Sequence, residues 1–149
     1  MSWDGQPFGL KSNYNGSCVG SSQQTEECAN LDSQKWTITF NRDRVQFKNV
    51  GTGMCLGGVA LTRGVSLMFD VSTVSCSEPF TWWQGSLVSG ESFASGVFKV
   101  SMGPYCLTSL DHAVKSTTGP GYVYGALCSS RAQSQNFVRY APPVVELAR

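Results

Sequence analysis

His112 is the only histidine of the chain, and Asp111 stands directly before it. A hydrolytic triad on that pair would need a serine on a sharp Gly-x-Ser-x-Gly elbow, and none stands where an elbow is expected. Asp32, Asp43, Asp70 and Glu91 show no paired-carboxylate arrangement. Phosphate-binding loops and dinucleotide fingerprints are absent as well. No catalytic residue is therefore assigned, and the chain reads as a protein that is not an enzyme. The other reactive side chains are six cysteines, Cys18, Cys28, Cys55, Cys76, Cys106 and Cys128. They contain no Cys-x-x-Cys pair, and a single histidine weakens a mixed site, so neither a metal nor a cofactor is expected. An even set of widely spaced cysteines favours disulfides, and disulfides persist outside the reducing cytosol. The expected location is extracellular or secreted. Met1-Ser2-Trp3-Asp4-Gly5 has neither the basic nor the apolar region of a signal peptide.

The remaining chemistry is that of hydrogen bonds and ring faces. The chain has 149 residues, one domain's worth, and 14% of them are charged, against about 25% in an ordinary soluble domain. Lys and Arg number 11 and Asp and Glu 10, for a net charge of +1. That balance excludes a nucleic-acid binder working by counterion release and a polybasic membrane anchor. Hydrophobic residues make up 41%, too many for a disordered chain. No apolar run is long enough for a membrane span.

These residues must be positioned by elements, and the elements repeat. Leu10-Lys11 is followed by Cys18, Phe47-Lys48 by Cys55, and Phe98-Lys99 by Cys106, with six residues between Lys and Cys each time. Gly or Pro stands two residues before each of these cysteines, which reads as strand, turn, strand. A second cysteine follows in each unit, Cys28, Cys76 and Cys128, and then an aromatic residue. The aromatics are Trp36 in Gln34-Lys35-Trp36, Trp82 in Phe80-Thr81-Trp82, and Phe137 in Gln135-Asn136-Phe137. Thr37-Ile38-Thr39-Phe40 alternates as a strand does. The repeats place the disulfides within units, as Cys18–Cys28, Cys55–Cys76 and Cys106–Cys128. Short, evenly spaced strands without helical periodicity predict an all-β fold closed as a barrel.

The threefold Cys, Cys, Gln-x-Trp arrangement resembles the ricin-type lectin domain, from about Phe8 to Tyr140. It is also similar to the cysteine-rich domain of the mannose receptor group, in which the first cysteine loop is short. The resemblance implies a β-trefoil with lobes of approximately 8–46, 47–96 and 97–140 and a tail of 141–149. It makes Trp36, Trp82 and Phe137 core aromatics. It implies a carbohydrate-binding domain whose partners are glycans or glycoproteins. Its usual sugar-binding set is absent here. The Asp two residues after the first cysteine is replaced by Gly20, Gly57 and Thr108. The aromatic two residues before the second cysteine is replaced by Glu26, Val74 and Ala126. The Asn before the motif is replaced by Ser33, Pro79 and Ser134.

A displaced sugar site needs a ring face and fixed polar partners for hydroxyls. The third unit is richest in them, with Asp111, His112, Tyr122, Tyr124, Gln133 and Asn136. In the second unit, Asp70 and Trp83 are candidates. If Trp82 enters the core, Trp83 faces outward as a contact residue. Asn15-Gly16-Ser17 is a glycosylation sequon or an ordinary turn. β-Trefoils similar to this one also serve as protease inhibitors or as receptor-binding parts of toxins and adhesins. The 111–120 loop, the 85–96 connection or the Ala141–Leu147 tail would then make the contact.

Overall fold

The computed structural model describes residues 6–14, 16–21, 24–59, 68–93, 95–110 and 121–141. They form twelve strands, four per unit. The first unit has β1 (Gly9–Ser12), β2 (Ser17–Val19), β3 (Gln24–Glu27) and β4 (Trp36–Asn41). The second has β5 (Arg44–Asn49), β6 (Cys55–Val59), β7 (Met68–Val74) and β8 (Trp83–Ser89). The third has β9 (Val97–Met102), β10 (Tyr105–Leu110), β11 (Gly121–Leu127) and β12 (Phe137–Tyr140). A 3-10 turn precedes the last strand of each unit, at Asp32–Gln34, Pro79–Thr81 and Gln133–Gln135. Among the described residues no helix is long and apolar enough to cross a membrane.

The first and last strands of the units close a barrel. β1 pairs with β12, β12 with β9, β9 with β8, β8 with β5, and β5 with β4. The Phe8↔Trp36 bridge closes the ring, with N–H···O distances of 3.0 and 2.8 Å. The middle strands form three hairpins, β2–β3, β6–β7 and β10–β11, which cap one end. β11 joins the caps by pairing with both β3 and β7. This is a β-trefoil.

The core is built of equivalent residues from each unit. Trp36, Trp83 and Phe137 are fully buried, as are Val19, Leu56 and Leu107. Below them Leu10, Phe47 and Val100 are buried, then Phe8, Val45 and Phe98. Each large side chain removed from water contributes roughly 1.5–3 kcal/mol. The indole N–H groups need acceptors in a dry core. Trp36 donates to the Val19 carbonyl at 3.1 Å and Trp83 to that of Leu56 at 3.0 Å.

Two registers differ from the sequence expectation. Trp83, not Trp82, is the second unit's core aromatic: Trp83 is wholly buried and Trp82 only half-buried. The 3-10 turn ends at Thr81, so the motif there is Thr81-Trp82-Trp83. The two tryptophans do face opposite ways, but in the reverse sense. In the third unit the chain slides by two residues. Cys18 pairs with Lys11 and Cys55 with Lys48, but Cys106 pairs with Ser101. The cause is a tight turn in which Met102 faces Tyr105 across Gly103 and Pro104, with Gly103 at φ 61°. Lys99 therefore lies two residues before the position opposite the first cysteine, which Lys11 and Lys48 occupy in their own units.

The disulfides join Cys18 to Cys28, Cys55 to Cys76 and Cys106 to Cys128, as the repeats require. Each ties the second strand of a unit to the chain just after its third.

Candidate functional site

The last residue of the first and third 3-10 turns anchors the surface beneath its hairpin. The Gln34 carbonyl accepts the Ala29 N–H at 2.8 Å. Its amide donates to the Glu27 carbonyl at 3.0 Å and to Glu26 Oε1 at 2.8 Å. Gln135 repeats the pattern: it accepts from the Ser129 N–H at 2.9 Å and donates to the Leu127 carbonyl at 2.9 Å and Thr108 Oγ1 at 3.3 Å. Each glutamine thus holds the backbone on both sides of a unit's second cysteine. Thr81 is too short for this. Gln46 of β5 supplies the amide instead, donating to the Cys76 carbonyl at 3.0 Å and to Thr81 Oγ1 at 2.9 Å.

The three lobe positions after the first cysteines have different fates. At Gly20 a β-carbon would lie 2.8 Å from Glu26 Oε2. The Glu26 carboxylate fills that space, reaching it from the opposite strand, where Glu26 is the register partner of Cys18. Gln34 holds Oε1, and Oε2 has no partner among the described residues. At Gly57 a β-carbon would meet Val74 Cγ2 at 2.7 Å, the Phe80 carbonyl at 2.9 Å and Thr81 Cγ2 at 3.2 Å. That lobe is closed. Phe80 itself is 49% exposed beside it. Thr108 is buried, donating to the Cys106 carbonyl at 2.9 Å and accepting from Gln135.

Register brings some candidate residues together. Tyr124 is the cross-strand partner of Thr108 on one side and of Asp70 on the other. Direct antiparallel partners share a face, so Thr108, Tyr124 and Asp70 hold one row across β10, β11 and β7. Tyr124 is half-buried, and burial raises its phenol pKa above the ordinary 10.0. Tyr122 lies two residues back along β11, opposite Leu110 and Gln24.

Gln133 and Asn136 belong to a separate group. Asn136 Oδ1 accepts from Lys99 Nζ at 2.7 Å, and its amide donates to Gln133 Oε1 at 3.3 Å. Asn136 is buried, Gln133 exposed and Lys99 half-buried. Desolvation lowers the Lys99 pKa from the usual 10.5. Gln135 faces β10 and β11 while Asn136 faces β9, so the two groups lie on opposite sides of the chain.

Trp83 is no contact residue, because its ring is in the core. Asp111, His112, the sequon asparagine Asn15 and the 142–149 part of the tail lie outside the described residues. The β4–β5 turn, Asn41 to Arg44, borders an open depression of about 470 Å³ with no ring and no buried polar group. Residue types single out Glu26 as a polar residue of the first unit but not its reach to Gly20, and they do not single out Lys99. The two-residue turn after Met102 is the signal for Lys99.

No family model matches the chain, and no curated protein matches it. Solved structures do. A Macrolepiota procera ricin B-like lectin, in complex with lactose, is 15% identical with a TM-score of 0.71, over 95% of this chain and 99% of that one. The designed threefold-symmetric protein ThreeFoil is 14% identical with a TM-score of 0.71, over 91% and 98%. The Haemophilus ducreyi cytolethal distending toxin is 17% identical with a TM-score of 0.61, over 100% and 91%. At these identities the likeness is one of fold. Strand order, barrel closure and these neighbours agree that the chain is a β-trefoil.

Proposed function

We propose that this chain is a non-catalytic carbohydrate-binding domain that holds a neutral sugar against Tyr124. The observation that carries the reading is the row Thr108, Tyr124, Asp70 on one face of the capping hairpins. A half-buried ring offers an apolar face to the C–H side of a sugar; the Asp70 position beside it serves its hydroxyls, and the buried Thr108 supports the row from the other side. Tyr122, two residues back along β11, and Asp111 and His112, which follow β10 in sequence, are the further contact candidates of this reading. In the first unit, the free Glu26 oxygen supports a second shallow pocket. Two such pockets on one rigid domain raise avidity for a dense glycan surface. Fold likeness to a lectin solved with lactose supports the reading. Three disulfides suit an extracellular setting, where glycoproteins are the available partners.

A second reading has one observation in its favour. Leu87 and Val88 are 39% and 49% exposed as neighbours on β8, which suits a protein contact such as a toxin's receptor-binding part would make.

A glycan array with oxidised, folded protein tests the first reading. Neutral sugars are expected to bind. Tyr124→Ala is expected to weaken binding on the order of tenfold, the value of a lost ring contact, while Tyr124→Phe retains it. No binding to any glycan sinks the reading. Binding lost on Leu87→Ser with Val88→Ser, and kept in Tyr124→Ala, favours the second.

A further inference from the structure

We propose that Lys99, Asn136 and Gln133 form a separate site for a sugar carboxylate, as in a uronic acid. The ligand's being a sugar rests on the function proposed above; the preference for an anion does not.

The direction of the hydrogen bonds carries the inference. An ammonium only donates, so Asn136 must turn Oδ1 toward Lys99. Its amide then faces Gln133, which must present Oε1. Each amide oxygen thereby has one of its two acceptor positions engaged. What remains among the described residues is rich in N–H donors, on Lys99, Asn136 and Gln133, and one of those donors carries a full positive charge. Donors that outnumber the remaining side-chain acceptors and include a cation favour an anion over a polyol, because a hydroxyl must also place its own proton.

No acidic group among the described residues pairs with Lys99. Among the described residues the only ion pair is Lys35–Asp32 at 3.7 Å. Lys99 faces Ser86 across β8 and β9 and bonds Asn136 before β12, whose amide in turn bonds Gln133 in the last 3-10 turn. None is acidic. Lys11, by contrast, lies over the Tyr140 ring at 5.8 Å, and Lys48 is exposed to water. Only Lys99 is half-buried against neutral amides, the placement its shifted register forces. Partial burial of an unpaired cation is unfavourable, and a bound carboxylate relieves it. The ammonium and the exposed Gln133 amide offer two donor groups to the two oxygens of a carboxylate.

Titration with glucuronate, glucose and inorganic sulfate tests the proposal, read as shifts of the Asn136 and Gln133 side-chain amide resonances. Glucuronate is expected to move both, and glucose at equal concentration neither. Lys99→Met should weaken glucuronate binding roughly tenfold or more, the value of a charge-assisted bond. Asn136→Asp should do the same while keeping the fold, because it supplies Lys99 with an internal carboxylate. Near-ultraviolet tryptophan signals report folding in both variants. Glucuronate binding that survives Asn136→Asp and Lys99→Met overturns the proposal, as do equal responses to glucose. Sulfate that matches glucuronate overturns the carboxylate preference. Tyr124→Ala should leave the response intact. If neutral sugars fail on the array while glucuronate still binds here, the Tyr124 reading falls and this site stands.

Discussion

Two adjacent tryptophans hold unequal shares of this fold. Trp83 is enclosed by core residues of all three units and donates its indole N–H to the Leu56 carbonyl. Trp82 is half-buried. Trp83→Ala should therefore cost about 3–5 kcal/mol, the usual range for an aromatic removed from a core. Trp82→Ala should cost about 1 kcal/mol. Urea midpoints at constant slope would show the difference. The opposite ranking would restore the Phe80-Thr81-Trp82 register. Sequence showed that one tryptophan points in and one out, since that follows from strand alternation. It did not show which, because the choice depends on where the 3-10 turn ends. Thr81 at that point does not look like a glutamine. The glutamine that acts for it, Gln46, stands far upstream on another strand.

At the scale of elements, the three corners perform one task with different residues. Gln34 and Gln135 pin the chain around Cys28 and Cys128 from within the motif, and Gln46 pins Cys76 from β5. Gln46→Leu should then cost as much as Gln34→Leu, about 1–3 kcal/mol, because each removes the part-buried side-chain bonds that fix a corner. Gln84→Leu is the control. Its single bond, to Asp43 at 3.3 Å, is exposed, so its cost should stay within about 0.5 kcal/mol. Denaturant unfolding of the three variants checks the ranking, and a Gln46 value near that of Gln84 would contradict the substitution of one glutamine for another. The repeat of cysteines, turns and alternating strands was legible because it is local. The site was less so. Glu26 reaches Gly20 across a hairpin, Tyr124 meets Asp70 from another unit, and Lys99 meets Asn136 only after a two-residue slide. Each depends on pairing between strands distant in sequence, which residue spacing alone does not encode.

At the scale of the whole molecule, the low charge and the three disulfides belong to one account of stability. With 14% charged residues and one ion pair among the described residues, little stability comes from surface electrostatics, and exposed pairs contribute little in any case. The core and the crosslinks must supply it. The disulfides close separations of 10, 21 and 22 residues. Loop entropy assigns about 2.7 kcal/mol to the first and about 3.4 kcal/mol to each of the others. Their sum, roughly 9 kcal/mol, lies within the entire stability of an ordinary domain, about 5–15 kcal/mol. Full reduction, verified by a mass gain of six hydrogens, should therefore lower the unfolding midpoint drastically or abolish the native tryptophan signal at 25 °C. Selective loss of Cys18–Cys28 should be the mildest single change, since it closes the shortest loop. The same reduction should remove ligand binding, because the motif glutamines hold the backbone beside Cys28 and Cys128. A reduced protein with an unchanged midpoint would place the stability in the core alone. The second cysteine of each unit would then be a local clip, with no part in setting the distance between a hairpin and its corner.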